Sequence, residues 1–265
     1  MPEGHTVHRL AREHRARFGD SSLAVSSPQG RFAAGAALLD GRRLESTDAY
    51  GKHLFLGFGA DQWLHVHLGL YGSWTFGSLP APPPRGALRL RLEGNQSYAD
   101  LRGPTACDLV TDIDKALIQG RLGPDPLRPR PDPERAWVRL ARSRAPVGQL
   151  LMDQAVVAGV GNVYRAEVLF RAKLSPLRGG RDVPREVFDS LWSDLVAVMK
   201  AGLRTGRIIT TLAVHRSRRS GPVRAEDAHY VYRRAGLPCR VCATPVATTV
   251  LAGRNLFWCQ RCQAT

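Results

Sequence analysis

Two cysteine pairs near the end of the chain, CRVC at 239–242 and CQRC at 259–262, set the tightest constraint on its fold. The pattern is C-x2-C-x16-C-x2-C, and the segment 228–265 that contains it is too short to build an apolar core unaided. Thiolates of Cys239, Cys242, Cys259 and Cys262 at this spacing close a tetrahedral shell around one structural zinc ion, with no coordination position left open. In a chain expected to be intracellular, such spacing argues for metal rather than disulfides. Between the pairs, VATTVLAGRNLFW reads as two strands joined at AGRN, so a metal-pinned hairpin presents Arg254 at its tip. An exposed arginine is usually a solvated charge; on a zinc hairpin it is also a probe for a groove or a phosphate. The fifth cysteine, Cys107, reads as an inert buried thiol.

Charge narrows the partner. Lysine and arginine total 38 against 23 acids, a formal net charge of +15. Ten of the cations fall between Lys200 and Arg240, against only Glu226 and Asp227. A solvated surface explains part of such an excess, but clustering this dense favours a polyanion, nucleic acid, whose condensed counterions are released on binding. Hydrophobic residues make up 43% of the chain, enough for a folded core. No apolar run reaches membrane-spanning length and no signal peptide is recognisable, so a cytoplasmic protein without a membrane partner is expected.

The texture changes three times along the chain. TVHRLAREHRARF (6–18) places Val7, Leu10, Ala11 and Phe18 on one helical face, with Thr6 as N-cap. Residues 22–110 alternate with period two in runs such as HLFLGF, WLHVHLGLYGSW and ALRLRLEG, which is β-sandwich or barrel character. GPDPLRPRPDPERAW (123–137) reads as a proline-rich linker. Beyond it VGQLLMDQAVV and VYRAEVLFRAKL are predicted helices around the tight turn AGVGN. PREVFDSLWSDLVAVMKAGL is a longer helix with Pro184 in its first turn. The expected organisation is α+β and multidomain: an N-terminal domain at 1–115, a helical domain at 116–227 and a zinc module at 228–265.

Five further positions invite chemical explanation. Pro2 follows the initiator methionine directly, and its small side chain makes Met1 a substrate for removal. That would expose a secondary amine titrating near ~8, partly uncharged at neutral pH and hence nucleophilic. By itself, Pro2 reads more readily as ordinary N-terminal sequence. Lys52 is one of only four lysines and sits in the strand-like GKHLFLGF. Unlike arginine, a desolvated lysine can surrender its proton, although a snorkelling strand-end lysine is the plainer reading. Asn162 ends GVGN and is placed to cap the next helix, whose first N–H groups suit a phosphate. His65 and His67 share a strand face, and without nearby carboxylates or cysteines they read as hydrogen-bonded or phosphate-adjacent rather than metal ligands.

In order along the chain, MPEG, GKHLFL, HLGLYG, RLGPDPL, LMDQAVVAGVGNVYRAEVLF, YVYRRAGLPCRVC and GRNLFWCQRCQ resemble the formamidopyrimidine-DNA glycosylase/endonuclease VIII family. The resemblance covers essentially the whole chain. It implies an N-terminal β-sandwich, a helix–two-turn–helix domain and a zinc hairpin, with duplex DNA held in a cleft between the two halves. It implies that Pro2 attacks C1′ of a flipped-out nucleotide and forms an iminium (Schiff base), and that Glu3 is the acid for the departing base or ribose oxygen. Lys52 matches the lysine of β-elimination. Arg254 matches a phosphate-contacting arginine linked to δ-elimination. Asn162 and Arg121 match backbone contacts, and Leu70 and Tyr71 match the wedge that fills the flipped base's place. From the residues alone, Leu70 and Tyr71 would be core.

Departures from the family pattern bear on substrate. Thr6 replaces a second glutamate, for which His5 or His8 could substitute; Arg102 is kept in DLRGP, but Pro104 stands at an aromatic position. The segment 206–228 does not resemble the loop that caps oxidised guanine. The expected activity is therefore a bifunctional DNA glycosylase and abasic-site lyase of the endonuclease VIII branch, leaning to oxidised pyrimidines. It is expected to work as a monomer on double-stranded DNA carrying oxidised bases or abasic sites, with no organic cofactor. The competing readings are a formamidopyrimidine/8-oxoguanine-type glycosylase, a non-catalytic damage-recognition protein, and an RNA-binding zinc-ribbon protein.

Overall fold

In the computed structural model, which describes residues 2–59 and 61–264, period-two alternation becomes two antiparallel four-stranded sheets. The removal of Met1 expected from the sequence lies outside the described residues. The strands are β1 (Ala24–Ser26), β2 (Ser46–Tyr50), β3 (His53–Gly57), β4 (Trp63–His67), β5 (Ser73–Ser78), β6 (Leu88–Glu93), β7 (Ser97–Arg102) and β8 (Ala106–Val110). One sheet has the order β1-β6-β7-β5 and the other β2-β3-β4-β8. Leu54, Leu56, Leu64 and Val66 of the second sheet share one core with Leu90, Leu92, Ala99 and Leu101 of the first. Each is at most 1% exposed, and full burial of such a leucine contributes about 2 kcal/mol. The unit built on this core ends at Arg121, and a second compact unit begins at Leu122.

Helix α1 (Gly4–Phe18) adds Val7, Ala11 and Phe18 to the sandwich core. Its N-cap lies three residues earlier than the sequence suggests. Glu3, not Thr6, is the N-cap residue, because the Thr6 N–H already donates to the Glu3 carbonyl at 2.9 Å. A short helix unforeseen in the sequence, α2 (Ala33–Leu39), interrupts the strands and buries Ala36 and Leu39. Helix α3 (Asp112–Gly120) opens with a reciprocal capping box between Thr111 and Asp114. It reaches the second sheet through Lys115, whose ammonium lies 3.5 Å from the Trp63 ring centroid and 3.1 Å from Asp48.

The second unit contains α4 (Pro133–Ala141), α5 (Val147–Leu150), α6 (Asn162–Arg171), α7 (Arg185–Thr205), β9 (Ala247–Leu251) and β10 (Arg254–Trp258). The proline-rich stretch is not a linker. Residues 122–126 are buried, the Gly123 N–H donates to the Gln154 carbonyl at 2.8 Å, and Pro133 opens α4 behind Asp132 as its N-cap. Prolines pre-set the extended backbone of this strap, and a Cβ on Gly123 would lie 2.3 Å from the Val156 carbonyl oxygen. The helix expected over VGQLLMDQAVV closes only over Val147–Leu150; beyond it Asp153 accepts the Ala155 N–H and holds a turn. Pro184 is the N-cap of α7 rather than part of its first turn, and Gly206 at φ +72° ends that helix.

Helix α6 is buried on all sides and serves two cores. Tyr164, Val168 and Leu169 join the helical core with Leu195 and Met199, while Ala166 and Phe170 join Tyr230, Val231 and Phe257 of the zinc module. The hairpin β9–β10 turns at Ala252 (φ +52°) and Gly253 (φ +69°), two left-handed residues as a two-residue turn requires. Arg254 therefore opens β10 opposite Leu251 and flanks the tip instead of occupying it.

Candidate active site, nucleic-acid interface and metal centre

The sulfurs of Cys239, Cys242, Cys259 and Cys262 all lie within 4.8 Å of one another. Cys239 Sγ to Cys262 Sγ is 3.9 Å and Cys242 Sγ to Cys259 Sγ is 3.4 Å. A zinc–thiolate tetrahedron has edges of about 3.8 Å, so the donor set fits zinc. Backbone N–H groups of Val241 and Cys262 point at Cys239 Sγ (3.5 Å) and Cys259 Sγ (3.4 Å), orienting both ligands. Bound there, zinc would supply the clamp on which the module folds.

The module is tied to α6 through polar residues that the sequence did not single out. Glu167, fully buried, accepts the backbone N–H groups of Tyr230 (2.7 Å), Val231 (2.8 Å) and Tyr232 (2.8 Å). Gln263 accepts the Cys259 N–H at 2.9 Å and donates to the Leu174 carbonyl at 3.0 Å. Arg165, also fully buried, donates to the carbonyls of Gly148 (3.4 Å), Leu251 (3.3 Å) and Asn255 (3.2 Å), and to the Asn162 side-chain oxygen. Asn162 does not cap α6. Gly161 is the N-cap, and the Asn162 side chain instead donates to the Asn255 carbonyl at 3.0 Å. Gln154 shapes the turn ahead of it, donating to Val160 (2.9 Å) and accepting the Gly159 N–H (2.9 Å).

In the first unit the sequence-selected residues fall on elements that touch. Pro2 is half-buried, immediately ahead of Glu3, which is 0% exposed at the start of α1. α1 packs against β2 and β3, whose connecting turn carries Gly51 (φ +58°) and Lys52, half-buried. Lys52 thus sits in a hairpin turn, not within a strand. His5 is buried and neutral: burial, then the nearby Arg9 charge, lower it to about 4. Leu70 and Tyr71 are not core. They stand in the β4–β5 loop, 39% and 88% exposed. Arg121 is exposed at the end of α3, and Arg102 donates to Asp100 at 3.0 Å. Burial raises the Cys107 thiol to about 12, an inert state.

The basic run 200–240 is only partly available to a partner. Arg240 pairs with Asp227 at 3.0 Å, Arg234 donates to the Tyr230 and Pro238 carbonyls, and Arg216 donates to Thr211. Arg218, Arg219 and Arg224 are exposed.

Comparison with known proteins places these features. Residues 1–107 match the family model described as the formamidopyrimidine-DNA glycosylase N-terminal domain. Residues 122–214 match the formamidopyrimidine-DNA glycosylase H2TH domain, and 236–265 match the zinc finger found in FPG and IleRS. Endonuclease 8 1 of Mycobacterium tuberculosis is 50% identical over 267 residues, covering 99% of this chain and all of the relative. Formamidopyrimidine-DNA glycosylase of Thermus thermophilus is 34% identical over 232 residues, covering 86% and 85%. The solved complex of Lactococcus lactis Fpg with DNA containing an abasic site aligns at TM-score 0.82 and 21% identity, over 99% of this chain and 100% of that one. At that identity the structural likeness speaks for the fold, an N-terminal β-sandwich, a helical H2TH domain and a zinc finger.

Proposed function

This chain belongs to the formamidopyrimidine-DNA glycosylase/endonuclease VIII family of DNA glycosylases with abasic-site lyase activity, and from that premise we propose that it excises oxidised pyrimidines and nicks abasic sites through an iminium on Pro2. The observation that carries the reading is the burial of Glu3 directly behind Pro2 at the N-terminus of α1. The positive end of a helix disfavours a protonated amine beside it, which suits a nucleophile. Glu3, withdrawn from bulk water directly behind Pro2, stands where an acid for the departing base is needed.

The Pro2 nitrogen bonds to C1′ as the base leaves with a proton from Glu3; the C1′–O4′ bond then opens, O4′ receiving the proton that the Pro2 nitrogen gives up, to leave a ring-opened iminium. The iminium draws electrons from C2′, whose proton is removed with assistance from Lys52 as the 3′ phosphate departs. Arg254 then holds the remaining phosphate as δ-elimination expels it, and water releases the sugar fragment. Tyr71 and Leu70, exposed in the β4–β5 loop, fill the gap left by the flipped base; Asn162 and Arg121 hold backbone phosphates. The lean to oxidised pyrimidines is supported by the 50% identity to an endonuclease 8 along the full length, against 34% to a formamidopyrimidine-DNA glycosylase. The enzyme acts as a monomer on duplex DNA of a prokaryotic cytoplasm.

Borohydride reduction during reaction with an abasic duplex should trap one covalent protein–DNA adduct, absent in Pro2→Gly. A Pro2→Gly protein that traps equally well would overturn the assignment.

A further inference from the structure

The outer face of the sheet β2-β3-β4-β8 carries a ladder of rings where solvated polar side chains are usual. His53 and Phe55 of β3, with Trp63, His65 and His67 of β4, alternate onto this face, away from Leu54, Leu56, Leu64 and Val66. His53 Nδ1 and His65 Nε2 lie 2.9 Å apart, and their rings stack at 5.2 Å and 14°. Phe55 stacks on His65 at 5.0 Å; the His67 ring lies 4.8 Å from His53, its cross-strand partner. At 2.9 Å one nitrogen of the His53–His65 pair carries hydrogen and the other a lone pair, so a single hydrogen bridges them.

All three imidazoles are neutral in the free protein. Burial first, then the repulsion His53 would meet from a proton on His67 or His65, and last the Lys52 charge, hold His53 at about 3. Burial holds His65 at about 4 against the opposing pull of Asp108, and burial with Lys52 lowers His67. His67 Nδ1 is engaged inside the protein, 2.8 Å from Thr105 Oγ1 and 3.2 Å from the Gly69 nitrogen. The other ionisable groups on this face are Tyr50 and Asp48 of β2, the latter paired with Lys115 of α3, and Asp108 of β8 opposite His65. α3 also brings Asp112 and Asp114, and α1, packed on β2 and β3, brings His5, His8 and Arg9 next to Glu3.

We propose that the His53–His65 pair takes up one proton when a DNA backbone phosphate settles on Lys52 and His67, making binding proton-linked. The inference rests on the DNA-binding reading above. The phosphate offsets the Lys52 charge that holds His53 down and adds an opposite charge of its own, which raises a group 4–6 Å away by about 1–3 pKa units. The proton comes from solvent and goes to an outer ring nitrogen, so the bridge persists and no hydrogen bond breaks. The charged pair then lies between Asp108 and the phosphate. Because the complex binds the proton more tightly than the free protein, affinity increases as pH falls.

Calorimetric titration of the full chain with a duplex bearing the uncleavable tetrahydrofuran abasic analogue tests this. At pH 6, runs in two buffers of different ionisation enthalpy should differ by the uptake of about half a proton, and Kd should tighten about fourfold from pH 8 to 5.5. His53→Gln and His65→Gln should each abolish the uptake and flatten the pH dependence. Wild-type heats independent of buffer, or either folded variant retaining full uptake, overturn the proton linkage while leaving the glycosylase reading intact. Absence of wild-type binding at pH 8 overturns that reading and this inference with it. Should a variant fail to fold, the wild-type buffer comparison alone decides.

Discussion

The Asn162 side-chain amide donates to the Asn255 carbonyl at 3.0 Å, joining the first residue of α6 to the residue beside Arg254. Arg165 grips the same carbonyl and that of Leu251 from within α6. Asn162, selected from the sequence as a phosphate contact, is therefore part of one polar assembly with the hairpin that carries Arg254, with Arg165 as its hub.

Replacing Arg165 with Met should strip the Gly148, Leu251 and Asn255 carbonyls of their shared donor and cost about 2–4 kcal/mol. The expected result is a lower melting temperature and weaker nicking of an abasic duplex, with zinc content still at one ion per chain. An unchanged melting temperature would show that the assembly contributes nothing to stability.

Tyr71 at 88% exposure and Leu70 at 39% give little to the folded state. The double variant Leu70→Ala/Tyr71→Ala should shift stability by no more than about 0.5 kcal/mol while excision of a damaged base falls at least tenfold. Thermal melts and single-turnover excision separate the two effects.

Glu3→Gln removes the proposed acid but leaves Pro2 in place. Excision of an oxidised pyrimidine should fall by about a hundredfold or more, the usual worth of a general acid. Nicking of a preformed abasic site, which has no base to protonate, should fall far less. Equal losses on the two substrates would assign Glu3 a purely structural role.

His14 sits wholly buried among Phe18, Trp74 and Phe76, donating Nδ1–H to the Leu10 carbonyl. Burial lowers it from 6.5 to about 4, so between these values the unfolded chain binds the extra proton. Its contribution is complete above pH 6.5 and is lost as pH falls toward 4, on the order of 3 kcal/mol in all. Urea denaturation at pH 7.5 and pH 5 should show a marked loss for wild type and a smaller pH-dependent loss for His14→Leu.

Local chemistry was legible in the sequence, and long-range polar contacts were not. The cysteine spacing announced the metal centre, and alternation in HLFLGF and ALRLRLEG announced strands, because both signals repeat within a few residues. Asn162 looked like a cap because capping is what a local reading offers; its partner lies 93 positions away. The strap at 122–126 looked like a linker because prolines mark a break in helix and strand equally, whether the chain beyond is solvated or packed. Leu70 and Tyr71 looked like core on hydrophobicity alone, and only the family resemblance pointed outward. One available signal went unused: Arg165 and Glu167 interrupt the apolar run NVYRAEVLF, and charges in a helix buried on all sides must find partners.

The nest around Glu167 has a consequence for how the protein can be taken apart. Three successive main-chain hydrogens at the doorway of the cysteine module close on a carboxylate that belongs to another segment. A peptide of residues 228–265 would capture its metal and still lack a floor. The finger is thus no transplantable cassette, and a graft into a foreign host would have to carry α6 along with it.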